Sequence, residues 1–144
     1  MCSFGISFSD DFSGMQKAPR GFCPARLKIG LLSERIFSDR SVWSVEQYLR
    51  HWRETARRCV EDKQSVIFCS SLSKRNADLW VGIYEGETVK FYSFMTQLSD
   101  VIIDGIAIYP KSSFSAFVGE PSSEWSCWEV PSAYLKCLAD GAEV

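Results

Sequence analysis

Residues 77–95 read ADLWVGIYEGETVKFYSFM and form the clearest structural pattern in the chain. Two runs rich in β-branched and aromatic residues, 79–84 and 89–95, flank the short segment EGET. Such residues favour strands, and a short connection that contains glycine is typical of a tight hairpin. The stretch therefore predicts two antiparallel strands joined by a turn built on Gly86.

A long amphipathic helix is predicted upstream, in SVWSVEQYLRHWRETARRCVED, residues 41–62. Ser44 followed by Gln47 has the spacing of a capping box, and Trp43 and Tyr48 are placed to form a hydrophobic staple. An apolar stripe recurs at helical spacing, comprising Val45, Tyr48, Leu49, Trp52, Ala56, Cys59 and Val60. The opposite face carries charged side chains at spacings that form favourable helical pairs. The tryptophans are thus explained by the core and the arginines by a solvated face.

Shorter segments supply the other predicted elements. FGISF (4–8), ARLKIGLL (25–32), SVIFCS (65–70), VIIDGIAIY (101–109) and FSAFV (114–118) are interpreted as strands, the fourth with a bulge at Gly105. WSCWEV (125–130) alternates like a strand, and PSAYLKCLAD (131–140) predicts a short final helix that Gly141 closes. The turn-rich residues between FGISF and ARLKIGLL are interpreted as a loop.

These elements predict a single α+β domain spanning residues 1–144, with a turn-rich N-terminal segment over residues 1–25. Short connections favour antiparallel pairing. We expect an antiparallel or mixed sheet of about six strands, with one long helix packed on a face and a short C-terminal helix. Neither repeats nor low-complexity segments are visible in the sequence.

Composition narrows the class of protein. Hydrophobic residues make up 46% of the chain and charged residues 24%, close to globular averages. No stretch approaches the about 18 apolar residues of a membrane span, and the N-terminus lacks the basic start of a signal peptide. We therefore expect a cytoplasmic protein without membrane association. Its six cysteines are expected to be reduced, structural thiols.

Motifs for catalysis are missing from the sequence. There is no phosphate-loop, zinc-protease, nucleophile-elbow or C-x-x-C pattern. His51, the only histidine, borders the apolar stripe of the helix and is interpreted as structural rather than catalytic. Paired carboxylates occur in turn-like contexts where solvated charge is the default. The basic helix face lacks interleaved aromatic residues, so nucleic-acid binding is not predicted.

Charge is distributed unevenly along the chain. Residues 1–75 hold 13 Lys and Arg against 8 Asp and Glu, whereas residues 76–144 hold 3 against 10. An acidic second half repels phosphate and suits a basic protein partner through complementarity. A merely solvated acidic surface is the alternative explanation.

Three motifs occur in a fixed order over about residues 26–140. The first comprises Ile29, Gly30, Trp43, Tyr48 and Trp52; the second comprises Trp80, Tyr84, Gly86 and Val89; the third comprises Ser123, Glu124, Trp125, Val130, Leu135 and Leu138. Together they resemble immunity proteins of bacterial contact-dependent growth inhibition systems. The chain departs from that pattern at GLLSER, where the family often has an acidic stretch.

The resemblance implies a small cytoplasmic protein with no catalytic site, cofactor or metal. It would bind the C-terminal toxin domain of a cognate effector in a stoichiometric complex and neutralise it. Such toxins are frequently nucleases and often basic, which agrees with the acidic second half. The candidate toxin-binding residues are acidic positions at turns and strand ends with two aromatic anchors: Glu85, Glu87, Asp100, Asp104, Glu120, Glu124, Tyr84 and Trp125.

A different class of function remains open on the sequence. The chain is alternatively a small-molecule binding or enzymatic α+β domain, with a pocket lined by Trp80, Trp125 and Trp128. The neighbouring gene distinguishes the two hypotheses, because an immunity gene directly follows the gene of a very large secreted toxin.

Overall fold

The computed structural model describes residues 2–8, 18–119 and 127–144. Within them, nine strands and three α-helices follow one another along the chain. Their bounds are β1 Phe4–Phe8, β2 Phe22–Ile29, β3 Leu32–Asp39, α1 Val45–Glu61, β4 Val66–Leu72, β5 Asn76–Tyr84, β6 Thr88–Gln97, β7 Val101–Asp104, β8 Ala107–Pro110, α2 Phe114–Val118, β9 Cys127–Pro131 and α3 Ser132–Ala139. A 3-10 turn, Leu98–Asp100, precedes β7.

The strands form three antiparallel sheets. The first sheet has the order β1-β2-β3, the second has the order β4-β5-β6-β9, and β7 pairs with β8. The predicted α+β class with antiparallel pairing is confirmed, but the described strands number nine rather than about six. The predicted hairpin is confirmed as β5 and β6, whose register runs from Asn76↔Gln97 to Tyr84↔Val89.

Helix α1 begins as the sequence predicts. The Ser44 side chain accepts the Gln47 backbone N–H, and the Gln47 side chain accepts the Ser44 N–H in return. The Trp43 and Tyr48 rings pack edge to face with centroids 5.4 Å apart, which is the expected staple. Leu49 departs from the predicted apolar stripe, because its side chain is 37% exposed.

Polar atoms of the buried aromatic residues of α1 cover the outer edge of β4. His51 Nε2 accepts the Cys69 N–H at 2.8 Å, and Trp52 Nε1 donates to the Cys69 carbonyl at 2.9 Å. The Leu72 N–H donates to the Tyr48 hydroxyl at 2.8 Å. Because an unpaired strand edge leaves backbone groups unsatisfied, these side chains complete the sheet on the side where none of the described strands pairs with β4.

Two apolar cores lie on opposite faces of the second sheet. The main core lies between the two larger sheets and the helices α1 and α3, and includes Phe4, Trp52, Phe68 and Phe91. The second core is closed by the β7–β8 hairpin and α2, and includes Leu79 and other residues of the opposite sheet face. Strand β4 is almost entirely buried because it contributes to both.

Three predicted elements were wrong in detail. ARLKIGLL is not one strand, because the chain reverses at Gly30 and Leu31 between β2 and β3. Gly30 has a φ of 62° at the first turn position, which a type II′ turn reserves for glycine. VIIDGIAIY turns back at residues 105–106 to give β7 and β8 instead of one bulged strand.

The third error concerns FSAFV, which forms helix α2 rather than a strand. The Ser113 side chain accepts the Ala116 N–H and so starts a helical turn. The predicted loop between β1 and β2 is shorter than expected, since β2 already begins at Phe22. Residues 9–17 of that loop lie outside the described residues.

Candidate functional site

The predicted binding residues of the β5–β6 turn lie at one end of the second sheet. Glu85 Oε1 is 3.3 Å from Lys90 Nζ, and this carboxylate raises the pKa of Lys90. Glu87 is exposed, and its carbonyl accepts the Ser132 N–H at the start of α3. Tyr84 is half-buried against the main core. The charge of Glu85 is therefore partly compensated within the chain.

Asp100 and Asp104 lie elsewhere on the molecule. Asp100 ends the 3-10 turn after β6 and accepts a hydrogen bond from Thr96 Oγ1 at 3.0 Å. Asp104 is exposed at the end of β7, beside the turn whose Gly105 carbonyl accepts the Trp43 indole N–H at 3.3 Å. Since β6 spans ten residues, Asp100 is about 30 Å from the Glu85 turn along the hairpin.

The structure thus does not gather the described acidic candidates at one rim. The Glu85 and Glu87 pair is at the turn of the β5–β6 hairpin, and Asp100 is at its open end. Glu120, Glu124 and Trp125 lie outside the described residues, so their places stay predictions.

A groove on the main-core face of the second sheet brings together residues from five strands. We call it the Trp80–Trp128 groove; it encloses about 640 Å³. Its lining residues are Glu34, Ile36, Ser70, Asp78, Trp80, Tyr92, Ser93, Phe94, Met95 and Trp128. Strand β3 of the first sheet forms one wall, and β5, β6 and β9 form the floor opposite it.

Two indoles and a methionine give this groove its apolar surface. The Trp80 and Trp128 rings meet at 61° with centroids 5.3 Å apart. Trp80 is buried, Trp128 is half-buried, and Met95 is 80% exposed beside them. An exposed methionine next to aromatic side chains is a common feature of adaptable binding surfaces. Two of the three tryptophans predicted to line a pocket therefore lie in the same groove, and the third, Trp125, is outside the described residues.

The charges that line the groove are both negative. Glu34 and Asp78 contribute carboxylates, and the described residues that line the groove include no Lys, Arg or His. Asp78 is exposed, and partial desolvation of its carboxyl raises its pKa above the ordinary value. A carboxylate that loses hydration without a cation nearby is less stable as an anion, and a bound cation reverses that effect.

Sequence reasoning missed Glu34 and Asp78 because both lie inside strands rather than at turns. A usable pattern was present for each. Asp78 alternates with Trp80, so period two places both on the same sheet face. Glu34 stands between Leu32 and Ile36 at alternate positions, so period two places a charge on the same strand face as two apolar side chains.

The buried titratable groups serve the core. Burial lowers the pKa of His51 to about 4, and its Nδ1–H donates to the Ile106 carbonyl. Burial raises the pKa of the Cys2 thiol to about 11 and that of Cys59 to about 12, and it also raises the pKa of Cys69. A protonated buried thiol is a poor nucleophile. The interpretation of His51 as structural agrees with these contacts.

Some arginine side chains on the solvated face of α1 make contacts within the fold. Arg57 pairs with Glu54 and donates to the Ala139 carbonyl at 3.1 Å. The Arg58 guanidinium lies 5.0 Å from the centre of the Tyr109 ring. Arg50 and Arg53 are exposed. Among residues 2–8, 18–119 and 127–144, no three His, Cys, Asp or Glu side chains are grouped as a metal site.

Comparisons with known proteins bear on the fold. A chain of the CdiA-CT/CdiI toxin and immunity complex from Enterobacter cloacae has a similar fold, with a TM-score of 0.68 and 16% sequence identity. The match covers 95% of this chain and 96% of that chain. No family model matches the sequence, and no curated protein is significantly similar to it.

The architecture is therefore that of a chain found in a toxin–immunity complex. The resemblance expected from the ordered sequence motifs is confirmed at the level of fold. None of the described helices is both long and apolar enough to span a membrane.

Proposed function

We propose that this chain is an immunity protein, which binds the C-terminal toxin domain of a cognate contact-dependent growth inhibition effector and neutralises it. The observation that carries the proposal is the fold shared over almost the full length of both chains with a component of a toxin–immunity complex. The ordered motifs of the sequence support the immunity component rather than the toxin.

The protein acts by occupation rather than by catalysis in this proposal. Two described candidates for chemistry are engaged in the fold: His51 accepts a hydrogen bond at the edge of β4, and burial keeps the Cys59 thiol protonated. A toxin whose active site is covered by a bound protein needs no covalent step to be inactive. The complex is cytoplasmic and stoichiometric, and involves neither nucleic acid nor membrane on the side of this chain.

The toxin is proposed to be a basic nuclease. Residues 76–144 carry an excess of seven negative charges, which complements the positive surface that a nuclease uses to hold phosphate. Electrostatic complementarity of this kind speeds association and discriminates against wrong partners.

The test uses the toxin domain encoded by the gene directly upstream. We expect cells that express this domain to stop growing, and co-expression of the chain to restore growth. In vitro, nucleic-acid cleavage by the domain should fall in proportion to added chain and cease near one equivalent. A toxin domain from a non-cognate effector is the control and should stay active.

Two results would contradict the proposal. The immunity function is wrong if the cognate toxin domain neither binds the chain nor is inhibited by it. Stoichiometric occupation is wrong if a small fraction of one equivalent suffices, because that would show turnover. A toxin domain that is inhibited but does not cleave nucleic acid would contradict the nuclease assignment alone.

A small-molecule binding or enzymatic role is the second candidate, and one observation favours it. Trp80 and Trp128 line a single groove that contains two carboxylates. Mass spectrometry of small molecules retained from a cell extract by the purified chain tests this role. A stoichiometrically retained molecule, released by Trp128→Ala and not by Tyr134→Ala, would support it; an empty chain would contradict it.

A further inference from the structure

We propose that the Trp80–Trp128 groove receives a cationic segment of the toxin domain, with an arginine or lysine side chain held at Glu34 and Asp78. This inference rests on the proposed immunity function and names the place and chemistry of its contact. Neither carboxylate was among the acidic residues predicted from turns and strand ends.

Charge complementarity is the first argument. In the part of the chain that the structure describes, neither Glu34 nor Asp78 has a hydrogen bond or ion pair from its side chain. Both charges line a concavity to which the described residues contribute no cation. A guanidinium or ammonium group that enters such a concavity gains charge-assisted hydrogen bonds in partial shelter from water. It also relieves the desolvation that raises the pKa of Asp78.

The indole pair is the second argument. Trp128 is half-buried and lies edge to face with the buried Trp80, so part of its ring is available from the groove. A planar guanidinium stacks on an indole face while its N–H groups bind a carboxylate. Ile36 and the exposed Met95 provide apolar contact for the aliphatic part of the same side chain. The groove therefore combines the groups that hold arginine at protein interfaces.

Other concave or acidic places in the fold are less suited to this partner. The groove at the start of α1 is lined by Arg20 and Arg40 as well as by Asp39 and Glu46, so its charges offset one another. At the β5–β6 turn, Glu85 is already paired with Lys90. Of these three places, the Trp80–Trp128 groove is the one where the described residues combine uncompensated negative charge with aromatic surface.

A pair of substitutions at Met95 gives the sharpest test, because this side chain is 80% exposed and a charge of either sign would stay in contact with water. Met95→Arg places a cation at the groove and should weaken binding of the upstream-encoded toxin domain about tenfold or more. Met95→Glu adds negative charge and should bind as tightly as the parent or more tightly. Matched thermal melts establish that both variants are folded.

The carboxylates are tested with charge-only substitutions. The double variant Glu34→Gln with Asp78→Asn should raise the dissociation constant about tenfold at low salt and flatten its salt dependence. The matched control, Glu61→Gln with Asp62→Asn, removes the same charge from the exposed end of α1 and should bind like the parent. Methyl NMR of labelled methionine should show the Met95 signal shifting on addition of the toxin domain.

The outcomes separate this inference from the function on which it rests. If the parent chain does not bind the toxin domain, the immunity function fails and the groove assignment falls with it. If the parent binds, but Met95→Arg and the carboxylate variant bind equally well, the groove assignment is overturned and the immunity function stands. An effect of equal size in the Glu61 and Asp62 control would also overturn it, because net charge rather than the groove would then be responsible.

Discussion

At the scale of single residues, His51 joins two parts of the fold that are distant in sequence. Its Nδ1–H donates to the Ile106 carbonyl of the β7–β8 turn, and its Nε2 accepts the Cys69 N–H of β4. This pair of bonds requires the neutral ring. Burial lowers its pKa to about 4, and the nearby Arg58 adds to the same effect. Protonation of His51 is therefore coupled to unfolding.

We predict that stability falls as the pH is lowered from 7 to 5.5. Below the ordinary histidine pKa of about 6.5, His51 binds a proton in the unfolded chain but stays neutral in the native chain. The free energy of unfolding therefore falls by up to about 1.4 kcal/mol per pH unit. Urea unfolding at several pH values measures this slope. His51→Gln should be less stable at pH 7 but show a flatter slope; an unchanged slope would contradict the assignment.

Trp52 is predicted to be essential for the main core. The centre of its ring lies 4.7 Å from that of Phe68 and 5.6 Å from that of Phe4, and the residue is 1% exposed. Trp52→Ala should lower the free energy of unfolding by about 3–5 kcal/mol through the cavity it leaves. Trp52→Phe, which retains a ring, should lose less. A Trp52→Ala variant that melts like the parent yet loses toxin binding would show instead that this side chain is a contact.

The cysteines are predicted to be free thiols of unequal accessibility. Cys127 is exposed, whereas Cys2, Cys59 and Cys69 are buried. A thiol reagent should therefore label Cys127 first in the native protein. After unfolding without a reductant, the reagent should count all six cysteines. Fewer than six would reveal a disulfide, and rapid native labelling of Cys59 would contradict its burial.

At the scale of elements, the sequence was most informative where one local rule was sufficient. The ends of α1 and the β5–β6 hairpin follow from capping and turn chemistry, which act within a few residues. The predictions for the short segments failed because the tertiary environment, rather than the local sequence, decides their secondary structure. FSAFV, with five residues, suits a strand or a helix equally well until Ser113 and the second core select the helix.

The capping box gives a prediction for α1 as an element. Ser44→Ala removes the acceptor of the Gln47 N–H and should lower the free energy of unfolding by about 1 kcal/mol. Ser41→Ala, in the exposed turn before the helix, is the matched control and should have little effect. Equal stability of the two variants in chemical denaturation would show that the cap does not stabilise the helix.

At the scale of the whole molecule, the acidic character of the second half was visible in the sequence but its arrangement was not. Glu85 and Asp100 are close in sequence, yet they lie at opposite ends of the β5–β6 hairpin because β6 separates them. Glu34 and Asp78 are 44 positions apart in sequence, and the packing of the first sheet on the second brings them to one groove. Pairing and packing of strands that are distant in sequence determine which residues meet at such a groove. Local sequence patterns carry little information about these contacts.

Charge reversal at the predicted acidic positions tests this arrangement. Met95 and Phe94 line both the Trp80–Trp128 groove and a second hollow that contains Asp100, so the hollow of Asp100 adjoins the groove. Asp100→Lys should therefore slow association with the toxin domain severalfold at low salt, and less at high salt, because exposed rim charges act mainly on the association rate. Glu87→Lys is at the far end of the hairpin and should have a smaller effect. Stopped-flow association over a range of salt concentrations measures the difference.

The same charge reversal at the other predicted acidic positions completes the series: Glu85, Asp104, Glu120 and Glu124. A dominant effect at Glu85 or Glu87 would move the interface to the hairpin turn, and no effect at any of the six would direct attention to the Arg50 and Arg53 face of α1 and an acidic partner.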